Sequence, residues 1–312
     1  MFVVTLIAED ALTDSVTSEV THQFMVDWTA GTVVAAEWID EGCAFDLSFR
    51  PADDFRPEDC AHLAQGLAGL ARNIASVSDC QDLKLDVVIQ PIEGREKRLL
   101  VADMDSTMIQ CECIDELADY AGLKPQIAAI TEAAMRGELD FEAALDARVA
   151  LLAGLDAAVI DRCLAERVRL MPGARTLVRT MRARGARCVL VSGGFTRFAE
   201  PVAREIGFDR AIANELLIAD DRLTGEVAKP IVGAETKLAT LRAEAVALGI
   251  DAAATLAVGD GANDLPMIRA AGLGVAFRAK PVVAAAAAAR VEHGDLTALL
   301  WAQGIARRDW VA

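Results

Sequence analysis

Apolar and polar residues in the N-terminal third of the chain alternate in two ways, every second residue in some stretches and every third or fourth in others. The first spacing is typical of strands and the second of amphipathic helices. The pattern predicts strands at 2–8, 32–39, 43–49 and 83–89, a helix at 11–26, and a second helix that Pro57 opens. This β-α-β-β-α-β order predicts a ferredoxin-like α+β domain over residues 1–91. The charged stretch 92–98 is expected to be a linker.

From residue 99 onward, short apolar runs alternate with helical segments, which predicts an α/β core with a doubly wound parallel, Rossmann-like sheet. The strands of this core are predicted at 99–102, 187–191, 211–214, 254–258 and 274–277. Residues 215–228 predict a hairpin closed near Asp220 and Asp221, and a later helix is expected to carry the alanine run 284–289.

One segment, residues 111–170, interrupts this alternation with a mostly helical pattern. Four short helices are predicted there, at 115–121, 126–136, 141–151 and 156–166. Because the insertion follows the first core strand, we expect it to form a cap over the carboxyl end of that strand, where a lid excludes water. The core itself would comprise residues 99–110 and 171–312.

The overall charge restricts the partners that the chain is expected to bind. A net charge of −16 argues against nucleic acid or an anionic membrane surface, which require clustered cations, but it allows a small phosphorylated substrate. No apolar run reaches the roughly 18 residues of a membrane span, and the N-terminus lacks the basic region of a signal peptide.

The seven cysteines are scattered and odd in number, and there are three histidines. Without paired Cys-x-x-Cys spacing, zinc is not expected. The stretch from Cys111 to Cys113 suggests metal or redox chemistry, but two small apolar side chains are the simpler interpretation. This cysteine usage predicts a reduced, cytoplasmic protein.

Polar residues follow three of the predicted core strands. Asp103 and Asp105 come after the first, Ser192 to Gly194 after the second, and Asp260 to Asp264 after a later one, with Lys237 near the start of a helix between the last two. Each could serve as a helix cap, a turn or a surface charge. Ligands of open α/β sheets bind at the carboxyl ends of the strands, so the four features together predict one site.

In this order, the four stretches resemble the motifs of the haloacid dehalogenase superfamily of phosphotransferases: Asp-Met-Asp-Ser-Thr, Val-Ser-Gly-Gly-Phe, a lysine, and Val-Gly-Asp-Gly-Ala-Asn-Asp. The resemblance covers residues 97 to about 300, and the helical insertion has the position of a C1-type cap. It implies that Asp103 is a nucleophile that becomes an aspartyl-phosphate, and that Asp105 is the general acid and base.

The charge balance agrees with these roles. A carboxylate that approaches a phosphate dianion meets a repulsion of roughly 1 kcal/mol per charge pair in water and about 4 kcal/mol at an effective dielectric of 20. Cations are therefore needed, and Mg²⁺ suits a site of oxygen ligands. We expect the metal site to consist of Asp103, the backbone carbonyl of Asp105, and Asp260, with Asp264 holding metal-bound waters. The phosphoryl oxygens would contact Ser192, Gly193 and Lys237, with Asn263 orienting the neighbouring loop.

The first motif is followed by Glu112 and Ile114-Asp115-Glu116, and later by Met135-x-Gly-x-Leu-x-Phe141 and Leu145-x-x-Arg148-Val149. In these stretches the chain is similar to the phosphoserine phosphatases within the superfamily. The resemblance implies that Glu112 binds the substrate ammonium group, that Arg148 binds its carboxylate, and that Met135 and Phe141 close over the substrate. Helix periodicity alone favours another interpretation of Glu112 and Arg148, a salt bridge between the two within the cap.

The predicted function is therefore Mg²⁺-dependent hydrolysis of O-phospho-L-serine, the last step of serine biosynthesis. The alternatives are a broader phosphomonoesterase and a phosphotransferase that uses an alcohol such as homoserine. The N-terminal domain resembles ACT-type regulatory domains in element order alone, so it could sense an amino acid, serve dimerisation or be purely structural. A homodimer could form through this domain or through the cap.

Overall fold

The computed structural model describes residues 1–8, 12–27, 30–56, 58–77, 83–135 and 138–312. Side chains at positions 27, 77, 134 and 135 lie outside this description, as does Pro57. The described residues form a four-stranded antiparallel sheet, a six-stranded parallel sheet and a two-stranded hairpin. None of the described helices is long and apolar enough to cross a bilayer.

The N-terminal domain has the predicted order of elements. They are β1 (Phe2–Ile7), α1 (Asp14–Asp27), β2 (Gly31–Asp40), β3 (Ala44–Pro51), α2 (Asp59–Val77) and β4 (Asp86–Pro91). The strands lie in the order β2-β3-β1-β4, and each neighbouring pair is antiparallel. The predicted ferredoxin-like arrangement is therefore confirmed.

The two faces of this N-terminal sheet bury different partners, because successive side chains of a strand point to opposite faces. Val4 and Leu6 pack with the helices α1 and α2. Ile7 and Val88 belong instead to the hydrophobic cluster that contains Trp301 of the C-terminal core. The N-terminal domain thus packs on the rest of the chain through the sheet face opposite its helices.

The core sheet places the motif-bearing strands side by side. Its strands are β5 (Leu99–Ala102), β6 (Arg187–Phe195), β7 (Arg210–Asn214), β10 (Thr255–Gly259), β11 (Leu273–Phe277) and β12 (Ala289–Val291), and a hairpin of β8 (Leu216–Ala219) and β9 (Arg222–Val227) follows β7. The order is β12-β11-β10-β5-β6-β7, all parallel. Strand β5 is buried on both faces, as its continuous apolar sequence predicts, with Leu100 in one hydrophobic cluster and Leu99 in another.

Helices cover both faces of this sheet and also form the cap. The core helices are α7 (Ala174–Ala183), α8 (Thr196–Ile206), α9 (Ala234–Leu248), α10 (Leu265–Ala270), α11 (Pro281–Ala286) and α12 (Ala298–Ala302). The cap helices are α3 (Cys113–Tyr120), α4 (Lys124–Met135), α5 (Phe141–Ala150) and α6 (Ala158–Glu166). The four predicted cap helices are present, with ends shifted by a few residues.

The β8–β9 hairpin of the core contacts the cap. Its turn residues Asp220 and Asp221 both have positive φ, 49° and 59°, as a two-residue hairpin turn requires. The Gly154 N–H donates to the Leu223 carbonyl at 2.8 Å, which links the segment between the cap helices α5 and α6 to β9. The hairpin therefore connects the cap to the core.

The prediction of a helix through the alanine run 284–289 is wrong. Helix α11 ends at Ala286, and Ala289 begins the edge strand β12. This strand pairs in parallel with β11 and buries Ala289 and Val291. Burial against a neighbouring strand therefore outweighs the low strand preference of alanine.

Candidate active site

The register of the sheet brings the predicted polar residues to one edge. Ala102 of β5 pairs with Val258 of β10 and with Leu190 of β6. The residues that follow these positions, Asp103, Asp260 and Ser192, therefore emerge at similar heights. Helix α9 packs against β5 and places Lys237 among them.

Lys237 is the buried cation of this cluster. Its side chain is fully buried, and its ammonium donates to Asp103 Oδ1 at 2.5 Å and to Asp264 Oδ1 at 2.6 Å. Burial alone would lower the pKa of Lys237, but the two carboxylates raise it above its ordinary value. Lys237 therefore stays charged and holds two carboxylates in place.

Burial and mutual repulsion disfavour the charged form of the carboxyl groups around Lys237. Burial, and then the charge of Asp264, raise the pKa of Asp103 well above its ordinary value. Burial and the nearby Glu112 raise the pKa of Asp105 to about 7, although the Cys113 N–H donates to Asp105 Oδ1 at 3.0 Å. Crowded carboxylates with raised pKa values are typical of catalytic sites.

Three of these carboxylates could hold a metal ion. Asp103, Asp260 and Asp264 each offer an oxygen atom, and these atoms lie within 4.8 Å of one another. Burial and Asp264 also raise the pKa of Asp260 to about 6. Because an all-oxygen donor set with excess negative charge suits a hard divalent cation, the residues present fit such an ion.

The carboxyl end of β6 lies close to the acid Asp105. Ser192 Oγ accepts from the Gly194 N–H at 2.8 Å and donates to Asp105 Oδ2 at 3.4 Å. A methyl group on Gly194 would lie 2.6 Å from that same oxygen. Only glycine therefore allows the backbone to approach Asp105 so closely.

Asn214 is a site residue that the sequence analysis missed. This buried side chain at the end of β7 donates to the carbonyls of Gly193 (2.8 Å) and Val232 (3.2 Å), and accepts from the Val232 N–H at 2.7 Å. It thereby joins the carboxyl end of β6 to the segment that leads into α9. A lone polar residue at the end of an apolar strand is a weak signal, since its partners are distant in sequence.

The cap places Phe141 over two glycines of the core. A methyl group on Gly193 would lie 3.0 Å from the ring, and one on Gly233 would lie 3.3 Å from it. Asn263 also lies near Gly193, its Nδ2 3.7 Å from that methyl position. Met135 ends helix α4, and its side chain lies outside the described residues.

Glu112 and Arg148 lie in the cap and do not pair with each other. Glu112 Oε1 accepts from Ser106 Oγ at 2.7 Å. The half-buried Arg148 donates through Nε to the Ala144 carbonyl at 3.1 Å. In the described part of the chain, its terminal nitrogens have no recorded partner, so the predicted alternative, a salt bridge to Glu112, is not observed. Burial lowers the pKa of Arg148 although Asp115, Glu112 and Asp105 oppose this.

Comparisons with known proteins agree with this geometry. Residues 100–269 match the family model of haloacid dehalogenase-like hydrolases. A phosphoserine phosphatase of Streptomyces coelicolor is 45% identical over 291 residues, which are 92% of this chain and 70% of that protein. The chain belongs to the haloacid dehalogenase-like hydrolase family.

Solved structures place the whole chain and its core in this family. A hydrolase of the family from Salmonella enterica serovar Typhi superposes with a TM-score of 0.78 at 30% identity, covering 96% of this chain and 98% of that one. A phospho-aspartyl intermediate analogue of phosphoserine phosphatase superposes with a TM-score of 0.61 at 37% identity, covering 66% and 98%. The predicted superfamily and fold class are confirmed, and this family member is a phosphatase. The resemblance of its N-terminal domain to ACT domains stays a prediction.

Proposed function

We propose that this phosphatase hydrolyses O-phospho-L-serine to L-serine and phosphate, with Mg²⁺ as its cofactor. The observation that carries the proposal is the pair of cap side chains beside the carboxylate cluster, a guanidinium without a carboxylate partner in the described chain (Arg148) and a carboxylate (Glu112). A substrate with a carboxylate and an ammonium group complements this pair. The similarity to phosphoserine phosphatases supports the same substrate.

Arg148 and Glu112 would recognise the amino-acid part of the substrate. The terminal nitrogens of Arg148 can bind a carboxylate in bidentate fashion. Glu112, whose carboxylate Ser106 already holds, would pair with the ammonium group and disfavour substrates that lack one. The Phe141 ring, which lies on Gly193 and Gly233, would keep water away from the bound ester.

The metal would bind to Asp103, Asp260 and the backbone carbonyl of Asp105, with Asp264 contacting metal-bound water. When bound, Mg²⁺ offsets negative charge between the phosphate and the carboxylates that approach it. Asp264 has a further role in this arrangement, since its two oxygens accept from Lys237 and from the Gly261 N–H. It would thereby hold Lys237 toward the nucleophile.

In the first chemical step, an oxygen of Asp103 would attack phosphorus in line with the serine oxygen. The new bond gives an aspartyl-phosphate, and the bond between phosphorus and the serine oxygen breaks. Asp105 would give its proton to the departing oxygen, which its raised pKa allows near neutral pH. Ser192, the Gly193 N–H and Lys237 would hold the phosphoryl oxygens.

In the second step, Asp105 would act as the base. Its carboxylate would take a proton from a water molecule, which attacks phosphorus on the side that serine has left. The bond between phosphorus and Asp103 then breaks, which releases inorganic phosphate and restores both carboxyl groups. Lys237, which donates a hydrogen bond to Asp103, would offset the charge that returns to this carboxylate.

A substrate comparison with an arginine variant tests the proposal. Arg148→Ala should lower kcat/KM for phosphoserine by about 100-fold, because a charge-assisted bidentate contact is lost, while kcat/KM for p-nitrophenyl phosphate changes by less than about threefold. Arg197→Ala, which removes an exposed pair with Asp161, is the matched control and should affect neither substrate. Equal losses on both substrates would contradict the proposed role of Arg148.

The same assay separates the alternatives. Phosphate release from a panel of phosphorylated amino acids and sugars, with and without EDTA, distinguishes a phosphoserine enzyme from a broader phosphomonoesterase. Addition of alcohols such as homoserine reveals any phosphotransferase activity.

We also propose that the enzyme works in the reducing cytoplasm, which the six free cysteines among the described residues support.

A further inference from the structure

Two cysteines flank the proposed ammonium-binding residue Glu112. Glu112 has extended backbone angles, φ −96° and ψ 112°, so the side chains before and after it project to the same side. Cα atoms two residues apart are separated by at most about 7 Å, close to the range of about 4.4–6.8 Å that disulfides span.

The backbone of Cys113 contacts the proposed catalytic acid. The Cys113 N–H donates to Asp105 Oδ1 at 3.0 Å. Cys113 is the first residue of helix α3, so its position also sets the start of the cap. A covalent change at Cys113 would therefore alter the surroundings of Asp105.

We propose that Cys111 and Cys113 form a reversible disulfide when the protein meets a peroxide, and that this bond switches the phosphatase off. The ring that closes contains Glu112 and adjoins Asp105, so both substrate recognition and acid catalysis are affected. The proposal goes beyond the hydrolytic function, and its chemistry can be followed without measuring that function.

The oxidation balances with hydrogen peroxide as the oxidant. The Cys111 sulfur attacks one peroxide oxygen, the O–O bond breaks, and the products are a sulfenic acid and water. The Cys113 sulfur then attacks the Cys111 sulfur, the S–S bond forms, and the hydroxyl group leaves with the thiol proton as a second water. Two thiols have lost two electrons and two protons, and the peroxide has become two waters.

Exposure favours Cys111 as the first sulfur to react. Cys111 is partly exposed, whereas the other cysteines among the described residues are buried. Cys113 is buried and projects to the same side of the backbone two residues later, which is the position of a resolving thiol beside a redox-sensing cysteine.

Treatment of the full-length protein with hydrogen peroxide tests the proposal. We expect the loss of two thiols, a Cys111–Cys113 linkage in peptide mass mapping, and a fall in turnover of about tenfold or more, because general acid–base catalysis typically contributes 10²–10⁴-fold. The fall should occur with phosphoserine and with p-nitrophenyl phosphate, since Asp105 acts on both. Dithiothreitol should restore the thiols and the activity.

Single cysteine variants sharpen the test. Cys111→Ser should keep the basal activity and resist peroxide, whereas Cys60→Ala, a change in the N-terminal domain, should remain as sensitive as the unchanged protein. A Cys111–Cys163 linkage, a disulfide that leaves turnover unchanged, or a loss that dithiothreitol does not reverse would each overturn the proposal. If the reduced protein hydrolyses p-nitrophenyl phosphate but not phosphoserine, the proposed substrate fails while the switch can still be measured.

Discussion

Two buried polar clusters in this molecule are built in opposite ways, one at the active-site edge of the core and one at the contact between the N-terminal domain and the core. In the second cluster, which we call the interdomain seam, each carboxylate is matched by protein donors. Arg95 donates to both oxygens of Asp46, at 2.6 and 2.8 Å. Asp40 accepts from Trp301 Nε1 at 2.6 Å and from the Arg307 N–H at 2.7 Å.

The remaining donors of the seam are paired as well. Asp86 of β4 accepts from the backbone N–H groups of Glu292, His293 and Gly294. Arg95 Nε also donates to the Ala302 carbonyl at 2.9 Å, and Gln90 Nε2 donates to the same oxygen at 2.7 Å. Gln90 Oε1 has no hydrogen-bond partner among the described residues, and the other groups named here satisfy one another without any ligand, as a polar network that serves folding requires.

The active-site cluster lacks this balance. Asp103, Asp105, Asp260 and Asp264 surround one buried ammonium, that of Lys237. Asp260 accepts from the Thr107 hydroxyl at 3.3 Å, a weak contact for a carboxylate with 8% of its surface exposed. The comparison shows that the seam uses its charges for stability, whereas the active site keeps uncompensated charge that a cation and a substrate can satisfy.

The largest effect is expected from Asp103→Asn, which tests whether the carboxylates of the active site serve turnover and not stability. Turnover should fall by about 10⁴-fold or more, the scale found when a covalent nucleophile is removed. The variant should unfold at an equal or higher temperature than the unchanged protein, because it removes one of several crowded carboxylates. Phosphate release and thermal unfolding measure the two quantities. Retained turnover would show that Asp103 is not the nucleophile.

A change at the interdomain seam should lower stability and leave turnover unchanged. Arg95→Met should lower the free energy of unfolding by about 2–4 kcal/mol, because it leaves the buried carboxylate of Asp46 without its cation. The turnover of the folded protein should stay the same. Arg184→Met, which removes an exposed pair with Glu96, is the matched control and should cost less than about 1 kcal/mol. Urea unfolding measures the stability of each variant, and phosphate release measures its turnover under native conditions. A loss of turnover in Arg95→Met would contradict the separation of the two roles.

The sequence predicted the active site better than the seam, and the reason is physical. The site residues follow apolar strands directly, so a local pattern together with the rules of parallel sheets brings Asp103, Ser192 and Asp260 to one edge. The partners at the seam lie more than 200 residues apart in the case of Gln90 and Ala302, and no periodicity links them. Asn214 escaped prediction for the same reason. The sequence also could not predict that the terminal nitrogens of Arg148 have no hydrogen-bond partner among the described residues, because this depends on the direction of the Glu112 side chain, which accepts from Ser106 instead.

The smallest effect concerns the pH dependence of the free energy of unfolding. It tests whether the charged form of Asp105 destabilises the native state. Burial raises the pKa of Asp105 to about 7, whereas an unfolded aspartate titrates near 4. Between these values the native state binds the extra proton, so this group lowers stability as the pH rises from about 4 to about 7. Asp105→Asn does not titrate. Its advantage over the unchanged protein should therefore be larger at pH 8 than at pH 5.

We expect the difference between the two pH values to be about 1–3 kcal/mol, since one pKa unit corresponds to about 1.4 kcal/mol. Urea unfolding of both proteins at pH 5 and pH 8 measures it, first in EDTA and then with Mg²⁺. With Mg²⁺ the difference should shrink, because a bound cation favours the charged carboxylate and removes the cost that Asn avoids. An advantage that is equal at both pH values would mean that Asp105 is balanced by its neighbours as the seam carboxylates are. The contrast between the two clusters would then not extend to this residue.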